Sequence, residues 1–139
     1  MSVEITLYTK KATKTALIKF LATEGFQKTR HFLDGMNTPD MIHYMWYKFD
    51  NYESSSGVEA TVYKVSTEER TKYKCSEWIL HTRTRSSGSY EDKQKQNETI
   101  RKARQLFEGT FYNDWYGTNA YTNLNDYTKF SPLEKGISI

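Results

Sequence analysis

Three segments of this chain alternate apolar and polar residues with a period of two, the pattern of a strand that buries one face. They cover residues 3–9, 58–65 and 78–85. Two further segments, 26–33 and 41–49, are rich in aromatic and apolar residues, and 110–112 is a candidate for a last short strand. Strands of this kind bury their apolar faces by joining one sheet, so the sequence predicts a sheet-rich fold.

Helical spacing of apolar residues appears in two other segments. The first helix is predicted to begin after the cap residue Thr13 and to end near Glu24. The second is predicted to begin at Ser89, which forms a reduced capping box with Asp92. Its buried stripe is predicted to consist of Ile100, Ala103, Leu106 and Phe107. Residues 66–74 are polar and charged, and we expect a turn or a protruding hairpin there.

The order of these elements is β-α-β-β-β-β-α-β. It predicts an α+β fold, with a mainly antiparallel mixed sheet of about five or six strands and two helices packed on it. The 139 residues fit a single domain, predicted to span residues 1–130, with 131–139 as a loose tail. The predicted core residues are Leu17, Phe20, Leu21, Trp46, Val62, Leu80, Ile100 and Phe107.

Composition excludes several classes of protein. Aromatic residues make up 15% of the chain, which is unlike the composition of a disordered protein. No window approaches the roughly 18 apolar residues of a membrane span, so we expect no membrane partner.

The compartment is indicated by two further features. The N-terminus shows no basic and apolar leader, and Cys75 is the single cysteine, which excludes an intrachain disulfide. We therefore expect a cytoplasmic protein.

Positive charge is concentrated in residues 70–104. This region holds ten basic and four acidic residues, whereas the whole chain has a net charge of +3. Five of the six arginines lie here, and the planar guanidinium suits phosphate and carboxylate groups better than the ammonium of lysine does. The predicted phosphate contacts are Arg83, Arg85, Arg101 and Arg104. The alternative is an ordinary solvated face of the protein.

His81 shares one face of its predicted strand with Arg83 and Arg85, because alternate residues of a strand point the same way. Such a face needs solvent or anionic partners. The other histidines, His31 and His43, lie at no spacing typical of a metal site, so we expect no metal. The sequence offers His81 no partner base, although a role in acid–base catalysis stays open.

The second helix places polar residues at the edge of its apolar stripe. At 100° per residue Asn97 and Arg104 border the stripe, and Arg101 lies farther round beside Gln94. We expect a polar groove between this helix and the sheet. The short loop before the helix further predicts that Arg101 and Arg104 converge with the two strand arginines, with Glu98 and Glu108 as internal screening charges. The alternative is an amphipathic helix whose arginine stems cover the rim of the core.

The segment 109–122 combines five aromatic residues with short polar ones. Trp115 and Tyr116 are predicted to stack on a base, because both rings are amphipathic and stack well on nucleobases. Asn113, Asp114 and Asn119 are predicted to supply hydrogen bonds to the same ligand. The alternatives are packing beneath a loop and a protein interface.

The motifs of phosphate-binding loops, serine hydrolases and zinc proteases are absent from the sequence. We therefore predict a non-enzymatic binding protein without a cofactor. Its ligand is expected to be anionic and compatible with stacking: a nucleotide, a nucleotide-derived signal or a nucleic-acid segment. The small size is typical of accessory or inhibitory factors, such as those of phages or mobile elements. The alternatives are a protein–protein interaction module or homo-oligomer that uses the aromatic C-terminal region, and a small phosphoesterase or nuclease centred on His81.

Overall fold

The computed structural model describes residues 2–28, 38–47, 57–85 and 90–113, and the structural statements below concern these residues. The strands are β1 (Ser2–Thr9), β2 (Gln27–Lys28), β3 (Met41–Trp46), β4 (Val58–Lys64), β5 (Trp78–Arg85) and β6 (Gly109–Asn113). The helices are α1 (Lys14–Thr23), α2 (Thr67–Tyr73) and α3 (Tyr90–Phe107). The strands form one sheet in the order β2-β3-β4-β5-β1-β6, and each described pairing is antiparallel. The predicted α+β fold is confirmed.

Helices α1 and α3 cover one face of the sheet, called the core face below. Val62 of β4 and Leu80 of β5 lie side by side on this face, and both pack in one cluster with Leu17 of α1 and Ile100 of α3. The predicted core is confirmed at the following residues: Leu17, Phe20, Leu21, Val62, Leu80, Ile100 and Phe107. Trp46 is partly buried and packs against the same cluster.

The remaining helix, α2, packs on the other face of the sheet, called the opposite face below. Tyr73 of α2 stacks on Tyr8 of β1 with ring centroids 3.9 Å apart, and Val65, Cys75 and Ile79 form a small apolar cluster beside them. Burial raises the pKa of the neighbouring Tyr63 to about 12. Helix α2 therefore packs on this face beside Tyr8 and Tyr63.

Segment 66–74 is therefore a helix, and the expected turn or hairpin is wrong. Ser66 caps α2 by accepting a hydrogen bond from the Glu69 amide at 3.1 Å, and the Glu69 carboxylate accepts one from the Ser66 amide. This capping box is visible in the sequence. No residue of α2 is buried, so the helix lacks the apolar stripe by which amphipathic helices are recognised.

Helix α3 differs from its predicted form at one position of the stripe. Ile100, Ala103 and Phe107 are buried as expected, but Leu106 is 58% exposed. Its side chain lies too far round the helix to reach the sheet and contributes to a groove beside α1.

Several predicted boundaries lie outside the described residues. The strands predicted at 26–33 and 41–49 are described as Gln27–Lys28 and Met41–Trp46, and 29–37 and 48–56 are outside that range. The helix start at Ser89 and the tail 131–139 are outside it as well. Within the described ranges, none of the helices is both long enough and apolar enough to span a bilayer.

Candidate functional site

A pair of buried threonines fixes how α3 sits on β5. The Gln96 amide donates to Thr82 Oγ1 at 3.2 Å, and the Thr84 hydroxyl donates to Gln96 Oε1 at 3.1 Å. Thr82 also donates to the Ile5 carbonyl at 2.9 Å, which links α3 through β5 to β1. Because Thr82 and Thr84 point toward α3, the residue between them, Arg83, points to the opposite face.

Arg83 and the arginines of α3 therefore lie on opposite sides of the sheet, and the predicted cluster of four arginines is wrong. The period of two correctly groups residues of a strand on one face, but it does not say which face receives a helix. The carboxylate that screens Arg83 is that of Glu59, which the sequence did not identify. Arg83 pairs with Glu59 at 3.5 Å, and Glu108 pairs with Lys11 at 2.6 Å. The hydrogen bond from Lys11 lowers the pKa of the partly exposed Glu108 carboxyl.

His81 shares the opposite face with Arg83, as the strand period predicts, and both of its ring nitrogens have partners. Nδ1 is 2.8 Å from Thr6 Oγ1, and Nε2 is 3.2 Å from Glu4 Oε1. The sequence did not identify Glu4 or Thr6, because the register of β1 against β5 joins positions more than seventy residues apart. A carboxylate, an imidazole and a hydroxyl in series can pass a proton, but a substrate must displace one partner before His81 acts on it.

His43 lies on the same face, two strands away. Its Nδ1 is 3.0 Å from Thr61 Oγ1, and Thr61 is in register with His81 on the neighbouring strand. Burial lowers the pKa of His43, which favours the neutral ring. Within the described ranges no three His, Cys, Asp or Glu side chains are grouped closely enough to hold a metal ion.

Three of the predicted ligand residues lie along one side of α3, and one of them, Arg104, contacts β6. Asn97, Arg101 and Arg104 follow one another along one side of α3 at spacings of four and three residues. The guanidinium of Arg104 lies over the ring of Phe111 in β6, with its carbon 5.2 Å from the ring centroid. Phe111 was not among the predicted site residues, and nothing in its own sequence context marks it as a partner of an arginine.

Asn97 is the unusual residue on this side of α3. It is 1% exposed, and neither its Nδ2 nor its Oδ1 has a hydrogen-bond partner among the described residues. Buried side-chain amides are almost always paired, because an unpaired one loses its hydrogen bonds to water without replacement. One turn farther along α3, the Nε of Arg101 is also buried and lacks a hydrogen-bond partner within the described part of the chain. These groups therefore keep hydrogen-bonding capacity that the described residues do not use.

The remaining predicted site residues are only partly described. Arg85 ends β5 opposite Ser2, and Asn113 ends β6 opposite Ile5, but their side chains lie outside the described part. The predicted stacking and hydrogen-bonding residues beyond β6 are outside the described ranges: Asp114, Trp115, Tyr116 and Asn119.

The candidate site is thus the side of α3 that carries Asn97, Arg101 and Arg104, where the Asn97 amide and the Arg101 Nε lack hydrogen-bond partners among the described residues. Arg83 and His81 form a separate polar surface, in which Glu4 and Glu59 already supply the anionic partners. No protein-family model, curated protein or solved structure matches this chain.

Proposed function

We propose that this protein is a non-enzymatic binding protein for a nucleotide-like ligand, held between α3 and β6 by Asn97, Arg101 and Arg104. The observation that carries the proposal is the buried amide of Asn97, whose donor and acceptor both lack partners among the described residues. Leaving such a group unpaired costs about 1–3 kcal/mol, and a ligand that pairs it recovers this cost on binding.

The chemistry of Asn97 narrows the class of ligand. Its amide offers two N–H donors and one carbonyl acceptor next to each other. An inorganic phosphate satisfies only the donors, whereas the edge of a nucleobase offers a donor and an acceptor side by side. The proposed ligand therefore presents a base edge to Asn97.

The two arginines supply the contacts for the anionic part of the ligand. Arg101 lies one helical turn from Asn97, and its Nε is a buried donor without a hydrogen-bond partner among the described residues. Arg104 is held against the Phe111 ring, which orients its guanidinium before a ligand arrives. A guanidinium donates to phosphate oxygens in a fixed geometry, so these residues favour a phosphorylated ligand.

The predicted stacking residues Trp115 and Tyr116 follow β6 in the sequence and remain part of the proposal. A cytoplasmic location fits a ligand of this class, and it also fits the free, buried Cys75. Catalysis at His81 stays a weaker alternative, because both of its ring nitrogens are already hydrogen-bonded to Thr6 or paired with Glu4.

Thermal-shift and calorimetric titrations test the proposal. Inorganic phosphate, a nucleoside, a 5′-mononucleotide and a short oligonucleotide are compared at low salt. We expect the phosphorylated nucleosides to raise the melting temperature most, because they engage both Asn97 and the arginines.

The matched variants are Arg101→Gln and Lys102→Gln. They are neighbours on α3 and remove the same charge, but Lys102 pairs with Glu24 on the other side of the helix. Arg101→Gln should weaken binding roughly 10- to 100-fold, the scale of a lost charge-assisted hydrogen bond. Lys102→Gln should leave the affinity nearly unchanged. Equal effects of the two substitutions, or no response to any nucleotide, would refute the proposal.

A further inference from the structure

A groove of about 470 Å³ runs between α1 and α3, on the side of α3 away from β6. Phe20 of α1 and Phe107 of α3 line it, and their rings meet edge to face with centroids 5.9 Å apart. Leu106 lines the same groove and is 58% exposed. Isolated exposed leucines are common, but this one continues an apolar surface that already includes two aromatic rings.

The charges around the groove are predominantly positive. Lys19 and Lys102 line it, and the carboxylate among its lining residues is that of Glu24. Glu24 Oε1 lies 3.1 Å from the Lys102 ammonium and 3.6 Å from that of Lys95, so one carboxylate faces two ammonium groups, and Lys19 adds a third positive charge. An occupant with carboxylates beside its apolar side chains therefore meets a complementary surface.

The same charges argue against a second copy of this chain as the occupant. Two copies placed groove to groove would bring Lys19 and Lys102 of one copy toward the same lysines of the other. Like charges brought together at an interface oppose association.

We propose that this groove docks an acidic amphipathic segment of a partner protein. Its apolar side chains would pack on Leu106 and on the two aromatic rings, and its carboxylates would lie beside Lys19 and Lys102. Amphipathic helices bind to apolar grooves in this way, with anchors at intervals of three and four residues. The docking surface is independent of the ligand site, because the two lie on different sides of α3.

Synthetic peptides provide the probe. One helical peptide carries leucines at positions i, i+3, i+4 and i+7 with flanking glutamates. A second replaces the glutamates with lysines, and a third replaces the leucines with serines. By fluorescence anisotropy, we expect the first peptide to bind saturably and roughly tenfold or more tightly than either control, with an affinity that falls as salt is added.

Variants of the protein locate the binding. Leu106→Asp should weaken binding of the first peptide by roughly tenfold or more, because it puts a carboxylate into the apolar surface. Met41→Asp is the control, since Met41 is an exposed apolar residue on β3, at 39% exposure. Circular dichroism verifies that both variants fold. Absence of saturable binding, or binding that Leu106→Asp does not change, would overturn the proposal. Self-association that sedimentation detects and Leu106→Asp abolishes would overturn it in favour of a second copy.

Discussion

Replacing Asn97 with leucine should make the protein more stable and remove its ligand binding. Leucine has nearly the shape of asparagine but no polar atoms, so the variant no longer buries an amide that lacks partners among the described residues. The penalty for such a group is about 1–3 kcal/mol, and we expect the free energy of unfolding to rise by that amount. At about 3 °C per kcal/mol for a chain of this size, the melting temperature should rise by roughly 3–9 °C.

The neighbouring residue provides a matched control. Gln96 is also a fully buried amide on α3, but it is hydrogen-bonded to both Thr82 and Thr84. Gln96→Leu removes these bonds and leaves the Thr84 hydroxyl without its acceptor. We therefore expect Gln96→Leu to lower the free energy of unfolding by about 1–3 kcal/mol, the opposite sign to Asn97→Leu.

Urea denaturation of both variants, followed by circular dichroism, measures these differences. A constant slope against denaturant would show that the changes reflect stability rather than altered compactness. The reasoning fails if Asn97→Leu destabilises the protein as much as Gln96→Leu does, because the Asn97 amide would then be paired in the folded protein. It also fails if Asn97→Leu still responds to nucleotides as the wild type does.

Two further predictions concern the sheet. Gly109 has a φ of +112°, and a Cβ there would fall on the backbone carbonyl of Tyr8. We therefore expect Gly109→Ala to lower the free energy of unfolding, measured by urea denaturation, by more than about 2 kcal/mol. Gly25→Ala, at a φ of +88° with its nearest contact at 3.4 Å, should cost only about 1 kcal/mol, and equal losses would contradict the steric argument. Because burial lowers the pKa of His43 below its ordinary 6.5, the unfolded chain binds this proton more readily, so stability should fall as the pH drops through about 6.5. His43→Gln should flatten that decline in pH-dependent melting curves, and an unchanged profile would show that other groups cause it.

The fold was largely predictable because the elements that form it bury one face. In β4 and β5 alternate residues such as Val62 and Leu80 enter the core, and this produces the period of two in the sequence. Leu17 of α1 shows the corresponding period of a helix. Helix α2 was missed because it is short and buries no side chain, so only its capping box at Ser66 indicates it.

The sequence could group the residues of the candidate site that lie on one helix, but it could not predict which residues of other elements lie beside them. Helical periodicity placed Asn97, Arg101 and Arg104 on one side of α3, and the structure keeps them together. Arg83 was wrongly joined to them, because the choice between two sheet faces depends on how α3 docks on Thr82 rather than on any local pattern. The contact of His81 with Thr6 could not be predicted either, because it depends on the pairing of two strands that lie far apart in the sequence.

The position of β1 within the sheet has a consequence for how the chain reaches its folded state. This first strand lies between the last two, with Thr6 opposite His81 on one side and Tyr112 on the other. The strands β2, β3, β4 and β5 pair with their sequence neighbours and need only local loops to close. A ribosome must therefore release the chain as far as β6 before β1 finds both partners, and loop closure over such distances is entropically costly. Until β6 is released, β1 can pair with β5 but its other edge stays unpaired, so the nascent chain is prone to edge-to-edge association during that interval.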